Sequence, residues 1–283
     1  MKKNLFIFFL LSLVSCSLLD SFDDIPIFLI SENVTLTTSA EQGANTQKIL
    51  DLSIYENGTN IGVFNIPSDI PVLNSNEGSD KVLVGVRAGI RNNGAANNPV
   101  EYPFYATQEY EFDYEAEKRI PFDLDFKYRD DTKFDFVEGF EGTHIFNTNL
   151  DLDSEVTIIK SSQSLSGQFA GKITIDADNP NFEFASDFRF SIDNVGSFPV
   201  YLELDYKNEI PFQIGILGFN QSLGRRDYKI VLIESEDWNK IYIEFTNEIT
   251  QSGIEEYQLI FRNANNSDQF GSIWIDNIKL VHF

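Results

Sequence analysis

The feature that most constrains this chain is a two-residue alternation of apolar and polar side chains, repeated along most of its length. It runs through KILDLSIYENG, DKVLVGVRAG, YEFDYEAEK, PFDLDFKYRD, FEFASDFRFSID, PVYLELDYKN, YKIVLIES, NKIYIEFTN, EYQLIFRN and GSIWIDNIKLVHF. A strand turns successive side chains to opposite faces, so this period puts Val, Ile, Phe and Tyr on one side and charge on the other. Turn residues punctuate the runs at short intervals, as in antiparallel sandwiches. No segment keeps apolar residues at helical spacing over three turns. The expected fold class is therefore all-β: two consecutive antiparallel β-sandwiches.

The first fifteen residues, MKKNLFIFFLLSLVS, set two lysines before a short apolar run and end on small residues. That is the plan of a secretory signal peptide. The run Leu5 to Val14 is about ten residues, where a spanning helix needs roughly 20. The chain's single cysteine, Cys16, follows at once. Leu13-Val14-Ser15-Cys16 resembles the bacterial lipobox, and the resemblance implies cleavage before Cys16 and diacylglycerol on its sulfur. Two or more acyl chains hold a protein on a membrane without any spanning helix. With no second cysteine, no intramolecular disulfide supports the fold.

Loss of Lys2 and Lys3 with the leader moves the formal charge from −23 to −25. Nucleic-acid binding needs clustered Lys and Arg, so that partner class is excluded. Hydrophobic residues make up 42% of the chain, enough to rule out disorder as the reason for the acidity. The chain divides into residues 1–15 (signal peptide), 16–24 (lipidated cysteine and tether), 25–131 (first sandwich) and 132–283 (second sandwich), with the break in the charged run RDDTK.

In the first sandwich, LSIYENGTNIGVFNIPSDIPVL places Asn57-Gly58 between two alternating runs, a hairpin signal because both central residues must tolerate positive φ. Pro67 ends the second strand. The arrangement resembles PEGA-like and carboxypeptidase-regulatory-like sandwiches of bacterial envelope proteins, which implies a non-catalytic spacer or docking module. In the second, Phe140-Glu141-Gly142, SLSGQFAGKITI and Ile273-Trp274-Ile275-Asp276-Asn277-Ile278 resemble jelly rolls of the carbohydrate-binding-module type. The whole is similar to two-domain Bacteroidota-type envelope lipoproteins, implying an outer-membrane site at the cell surface or the periplasmic face.

The jelly-roll resemblance implies that Glu141 and Asp276 could share a structural calcium, helped by a carbonyl within Gln168 to Lys172. Calcium takes six to eight oxygen ligands. The alternative is Asp276 hydrogen-bonded to loop amides, with Lys172 neutralising the carboxylates. Sugar binding would call on aromatic platforms. Trp238 and Trp274 read as core or edge packers, and Tyr201, Tyr206, Tyr242 and Tyr257 as possible platform residues; no ligand-binding set is assigned.

Catalysis finds no footing. The two histidines, His144 and His282, have no Gly-x-Ser-x-Gly partner segment, and zinc sites of His and Cys fail on count. Gly85, Gly89 and Gly94 precede no helix, so they form no phosphate loop. Arg225-Arg226 reads as a solvated hairpin tip that could dock a carboxylate. The expected function is a non-catalytic, lipid-anchored accessory or binding subunit of an envelope assembly, with a protein partner or a glycan; the alternative is a carbohydrate-binding surface lipoprotein, and a glycan-active enzyme comes last.

Overall fold

The computed structural model describes residues 25–76, 78–151, 155–192, 198–220, 223–250, 254–263 and 269–283. The signal peptide, Cys16 and the tether lie outside the described residues. The protein is all-β, with two consecutive sandwiches, the second a jelly roll. Among the described residues no helix is long and apolar enough to cross a membrane.

One sheet of the first sandwich runs β4 (Thr59–Asn65), β3 (Asp51–Glu56), β6 (Lys81–Arg91) and β7 (Pro99–Glu101), with β8 (Gln108–Asp113) also on β6. Opposite it lie β5 (Ser68–Val72), β1 (Ile27–Ser31) and β9 (Arg119–Pro121), and a pair of β2 (Val34–Thr37) with β10 (Leu124–Lys127). The β1–β9 and β2–β10 pairs are parallel, because the first strands lie beside the last of this half. The Asn57-Gly58 turn forms as expected, with φ of 46° and 83°, and closes Glu56 on Thr59.

The second sandwich has a six-stranded sheet: β13 (Ile159–Ser161), β14 (Ala170–Ile175), β21 (Gly271–His282), β16 (Tyr201–Asn208) and β19 (Ser235–Glu244), with β11 (Lys133–Glu138) also on β21. Its partner is a five-stranded sheet of β12 (Thr148–Asn149), β15 (Glu183–Ala185), β20 (Glu256–Asn263), β17 (Phe212–Asn220) and β18 (Leu223–Leu232). Between them Leu202, Leu204, Ile214, Ile216, Leu259, Phe261, Ile275 and Ile278 fill one core. An extra residue at Asp276–Asn277, where Asn277 takes φ of 50°, shifts the alternation so that Ile275 and Ile278 both face inward.

A second core fills the first sandwich, and it also contains Tyr201, Tyr242 and Val281 from the six-stranded sheet. The first sandwich therefore packs on the outer face of that sheet. Polar groups seal the joint. Thr46 Oγ1 donates to Asp205 Oδ2 at 2.5 Å, Lys279 Nζ to Ala44 O at 2.6 Å, and Tyr102 and Tyr128 to Glu203 Oε1 at 2.8 and 2.7 Å.

Candidate functional site

With part of the outer face of the six-stranded sheet covered by the first sandwich, the outer face of the five-stranded sheet is the broader one left to solvent. The register brings Tyr228 (β18), Gly215 (β17), Ile260 (β20) and Ala185 (β15) into one row. In the next row stand Gln213, Arg262 and Glu183, and Arg226 lies opposite Leu217. Ala185, Leu217 and Ile260 form a buried apolar floor with Phe219 and Tyr228 packed on it. Gly215 is required here: a Cβ would lie 2.2 Å from Asp227 O in the neighbouring strand.

Planar polar groups stand over that floor. The Arg262 guanidinium lies 3.9 Å from the Tyr228 ring centroid, and Arg262 Nε donates to Gln213. The Tyr228 hydroxyl donates to Glu183 Oε1, and Arg226 Nε donates to the same oxygen at 2.7 Å. Burial and then Glu183 push the Tyr228 hydroxyl above its usual range, so it stays a donor. Farther along, Arg189 covers Phe219 at 3.6 Å and pairs with Glu256 at 2.8 Å. Arginine offers two parallel N–H donors, which bind a carboxylate or paired hydroxyls bidentately, and glutamate two acceptor oxygens for paired hydroxyls.

Arg226 is thus a mid-strand residue of an ion-paired face, not a solvated hairpin tip, because β18 runs on through it beside Leu217. Arg225 pairs with Asp227 at 3.7 Å. Tyr201, Tyr206, Tyr242 and Tyr257 are not platforms: all four are buried, Tyr206 and Tyr257 in the jelly-roll core, Tyr201 and Tyr242 under the first sandwich. Of this face the sequence singles out Arg226 alone, as a carboxylate dock; Tyr228, Glu183 and Arg262 escaped the sequence reading. Arg226 and Tyr228 stand two apart in an alternating run, which was the available signal; the partners on β15 and β20 come from pairing alone.

Glu141 and Asp276 meet the same loop, but as acceptors of its amides. Glu141 Oε1 takes Gln168 N at 2.7 Å and Phe169 N at 3.0 Å. Asp276 Oδ1 takes Asn277 N at 2.8 Å, and Oδ2 takes Leu165 N and Ser166 N at 3.3 and 3.4 Å. The loop turns N–H groups toward them where calcium would need carbonyls. Among the described residues, no three His, Cys, Asp or Glu side chains gather to hold a metal. The donor set does not fit a calcium cage. Lys172 does not neutralise these carboxylates; it lies over Trp274. Burial, with the nearby Asp205, pushes Asp276 up to about 7 against the pull of its backbone amides.

A cleft of about 790 Å³ where the sandwiches meet is lined by Glu41, Asp135, Phe134, Phe198, His282 and Phe283. His282 Nε2 donates to Asp135 Oδ1 at 3.2 Å, and that bond raises the imidazole's pKa. His144 is a loop residue, its Nδ1 accepting Phe146 N and its Nε2 facing Ile158 O. Among the described residues, neither histidine bonds a serine or threonine hydroxyl as a nucleophile–base pair would.

No family model and no curated protein matches this chain. Among solved structures it is similar to a family 11 carbohydrate-binding module from Clostridium thermocellum, at 18% identity over 53% of this chain and 94% of that one, TM-score 0.36. It is similar also to a xylan-binding domain of carbohydrate-binding-module family 22, at 11% identity over 54% and 96%, TM-score 0.37. The enzymatically active domain of tailspike protein 4 of bacteriophage CBA120 is matched at 14% identity, over 53% of this chain and 19% of the tailspike, TM-score 0.36.

Proposed function

We propose that this chain is a non-catalytic glycan-binding lipoprotein of a bacterial envelope. On this reading residues 132–283 present the binding face, residues 25–131 act as a spacer, and Cys16 carries the lipid anchor at the outer membrane. The observation that carries it is the open sheet face on which Tyr228, Arg262, Arg226, Glu183 and Gln213 stand over an apolar floor. Sugars need such mixed surfaces: apolar ground for ring C–H groups, and fixed planar donors and acceptors for hydroxyls. The groups are already paired with one another, so little side-chain entropy remains to be lost on binding.

A partner chain is a second reading with its own support. The edge strand β18 exposes Val231 and is followed by Ile233, 46% and 71% accessible, and an open edge accepts an added strand.

The test is calorimetric titration of the mature protein with a panel of oligosaccharides, beside Tyr228→Ala. Saturable binding to one glycan class, weakened at least about tenfold by the substitution, is the expected result; about tenfold is 1.4 kcal/mol. Absence of binding across the panel refutes it. Fractionation of cells carrying Cys16→Ser is expected to move the protein from the membrane to the soluble fraction.

A further inference from the structure

On the outer face of the six-stranded sheet two half-exposed lysines flank one buried tryptophan. Lys172 on β14 is directly opposed to Trp274 on β21, and Trp274 to Lys207 on β16. Directly opposed residues point to the same side of a sheet, so the three form one row. The two ammonium groups lie 5.0 and 5.7 Å from the indole. Trp274 is 6% exposed, and among the described residues its Nε1 donor has no acceptor. Among the described residues neither lysine's ammonium makes an ion pair or hydrogen bond, in a chain with 44 acidic residues against 21 basic ones.

That combination runs against the ordinary rules of burial. A buried indole N–H almost always finds an acceptor. Two cations flanking one ring repel each other, and the many carboxylates of this chain leave them alone. An anion seated at the indole edge answers all three groups together. The lysines occupy the ring, so stacking is not what the site offers; the N–H and the two charges are. In the adjacent row Thr174 opposes Ser272, and their hydroxyls are 3.3 Å apart. Hydroxyl partners therefore stand beside the cationic row.

We infer that Lys172, Trp274 and Lys207 form an anion site for an acidic saccharide, a sugar bearing a carboxylate or a sulfate ester, whose neighbouring hydroxyls reach Thr174 and Ser272. The inference rests on the glycan reading but places its own site on the opposite sheet from Tyr228. The protein's overall negative charge does not forbid this. At physiological ionic strength, charges more than about 8 Å away are largely screened, whereas the two ammonium groups would be in contact.

The experiment titrates the mature protein with trigalacturonate, with neutral galactotriose and with inorganic sulfate, read by calorimetry and by tryptophan fluorescence. Trigalacturonate is expected to bind at least about tenfold more tightly than galactotriose or sulfate, with a fluorescence change and an affinity that falls with salt. Lys172→Gln and Lys207→Gln, both at half-exposed positions, should each weaken it about fivefold or more, and Trp274→Phe, which removes the N–H together with part of the ring, likewise. Lys118→Gln, in an exposed ion pair of the first sandwich, should leave this binding within about twofold. Equal affinity for the neutral trisaccharide overturns the inference, as do lysine variants that bind like the parent with unchanged melting temperature. Sulfate binding as tightly as trigalacturonate makes this a simple anion site and overturns the saccharide assignment. If Tyr228→Ala abolishes binding and the lysine variants do not, the sheet-face reading stands and this one fails.

Discussion

Replacing Lys240 by methionine tests what joins the two sandwiches. Lys240 Nζ lies 3.1 Å from Glu203 Oε2 and 3.9 Å from Asp205 Oδ1, and both carboxylates are fully buried. Burial alone would raise Glu203, yet Lys240, Lys279 and the Tyr128 and Tyr102 hydroxyls hold it below the ordinary range. Burial likewise works against the Lys240 ammonium, but Asp205 and Glu203 keep it charged. Lys279 is a weaker counter-ion: burial brings it down to about 8, and its Nζ is spent on Ala44 O and Tyr128 Oη. Removing one partner of a buried pair costs about 3–5 kcal/mol. Because Lys279 remains, the lower end is expected, about 3 kcal/mol, which for a chain of this size is about 6–12 °C in melting temperature. The loss should depend on pH in a defined direction. Without Lys240, burial carries the folded-state Glu203 pKa above its unfolded value. The penalty is then present above the unfolded carboxylate range and fades as pH falls toward it, since both states become protonated. Urea unfolding of parent and Lys240→Met at pH 7 and pH 4.5 measures both numbers. A loss under about 1 kcal/mol at pH 7, or one that stays constant on acidification, would refute the reasoning.

Two further outcomes follow from the same structure. Asp276, raised to about 7 by burial, holds its proton in the folded state where the unfolded chain has lost it, so stability should fall as pH rises from about 4 to 7; Asp276→Asn should flatten that slope in urea titrations, and an unchanged slope would assign it elsewhere. Because Glu141 and Asp276 are met by amide N–H groups, a calcium chelator is expected to leave the melting temperature unchanged; a drop reversed by added calcium would restore the metal reading.

The two-residue alternation was enough to establish strands, their inward faces and the sandwich class, because a strand's geometry makes the pattern nearly unambiguous. The Asn57-Gly58 hairpin was legible for a local reason: the positive φ that only such residues accept readily. Ile273 and Ile275 on one face and Trp274 on the other were legible too. What alternation cannot say is whether the polar face of a sheet meets water or another sheet. Tyr201, Glu203 and Asp205 on β16, and Lys240 and Tyr242 on β19, occupy positions that a sequence assigns to solvent, and the first sandwich buries every one of them. The same blindness hid the polar face opposite. Tyr228, Glu183 and Arg262 lie on three strands far apart in the chain, and their meeting depends on β18, β17, β20 and β15 pairing in that order. Local geometry acts over a few residues and is written in the sequence; the pairing of distant strands and the covering of one sheet by another sum many weak contacts, and the tertiary structure alone decided them.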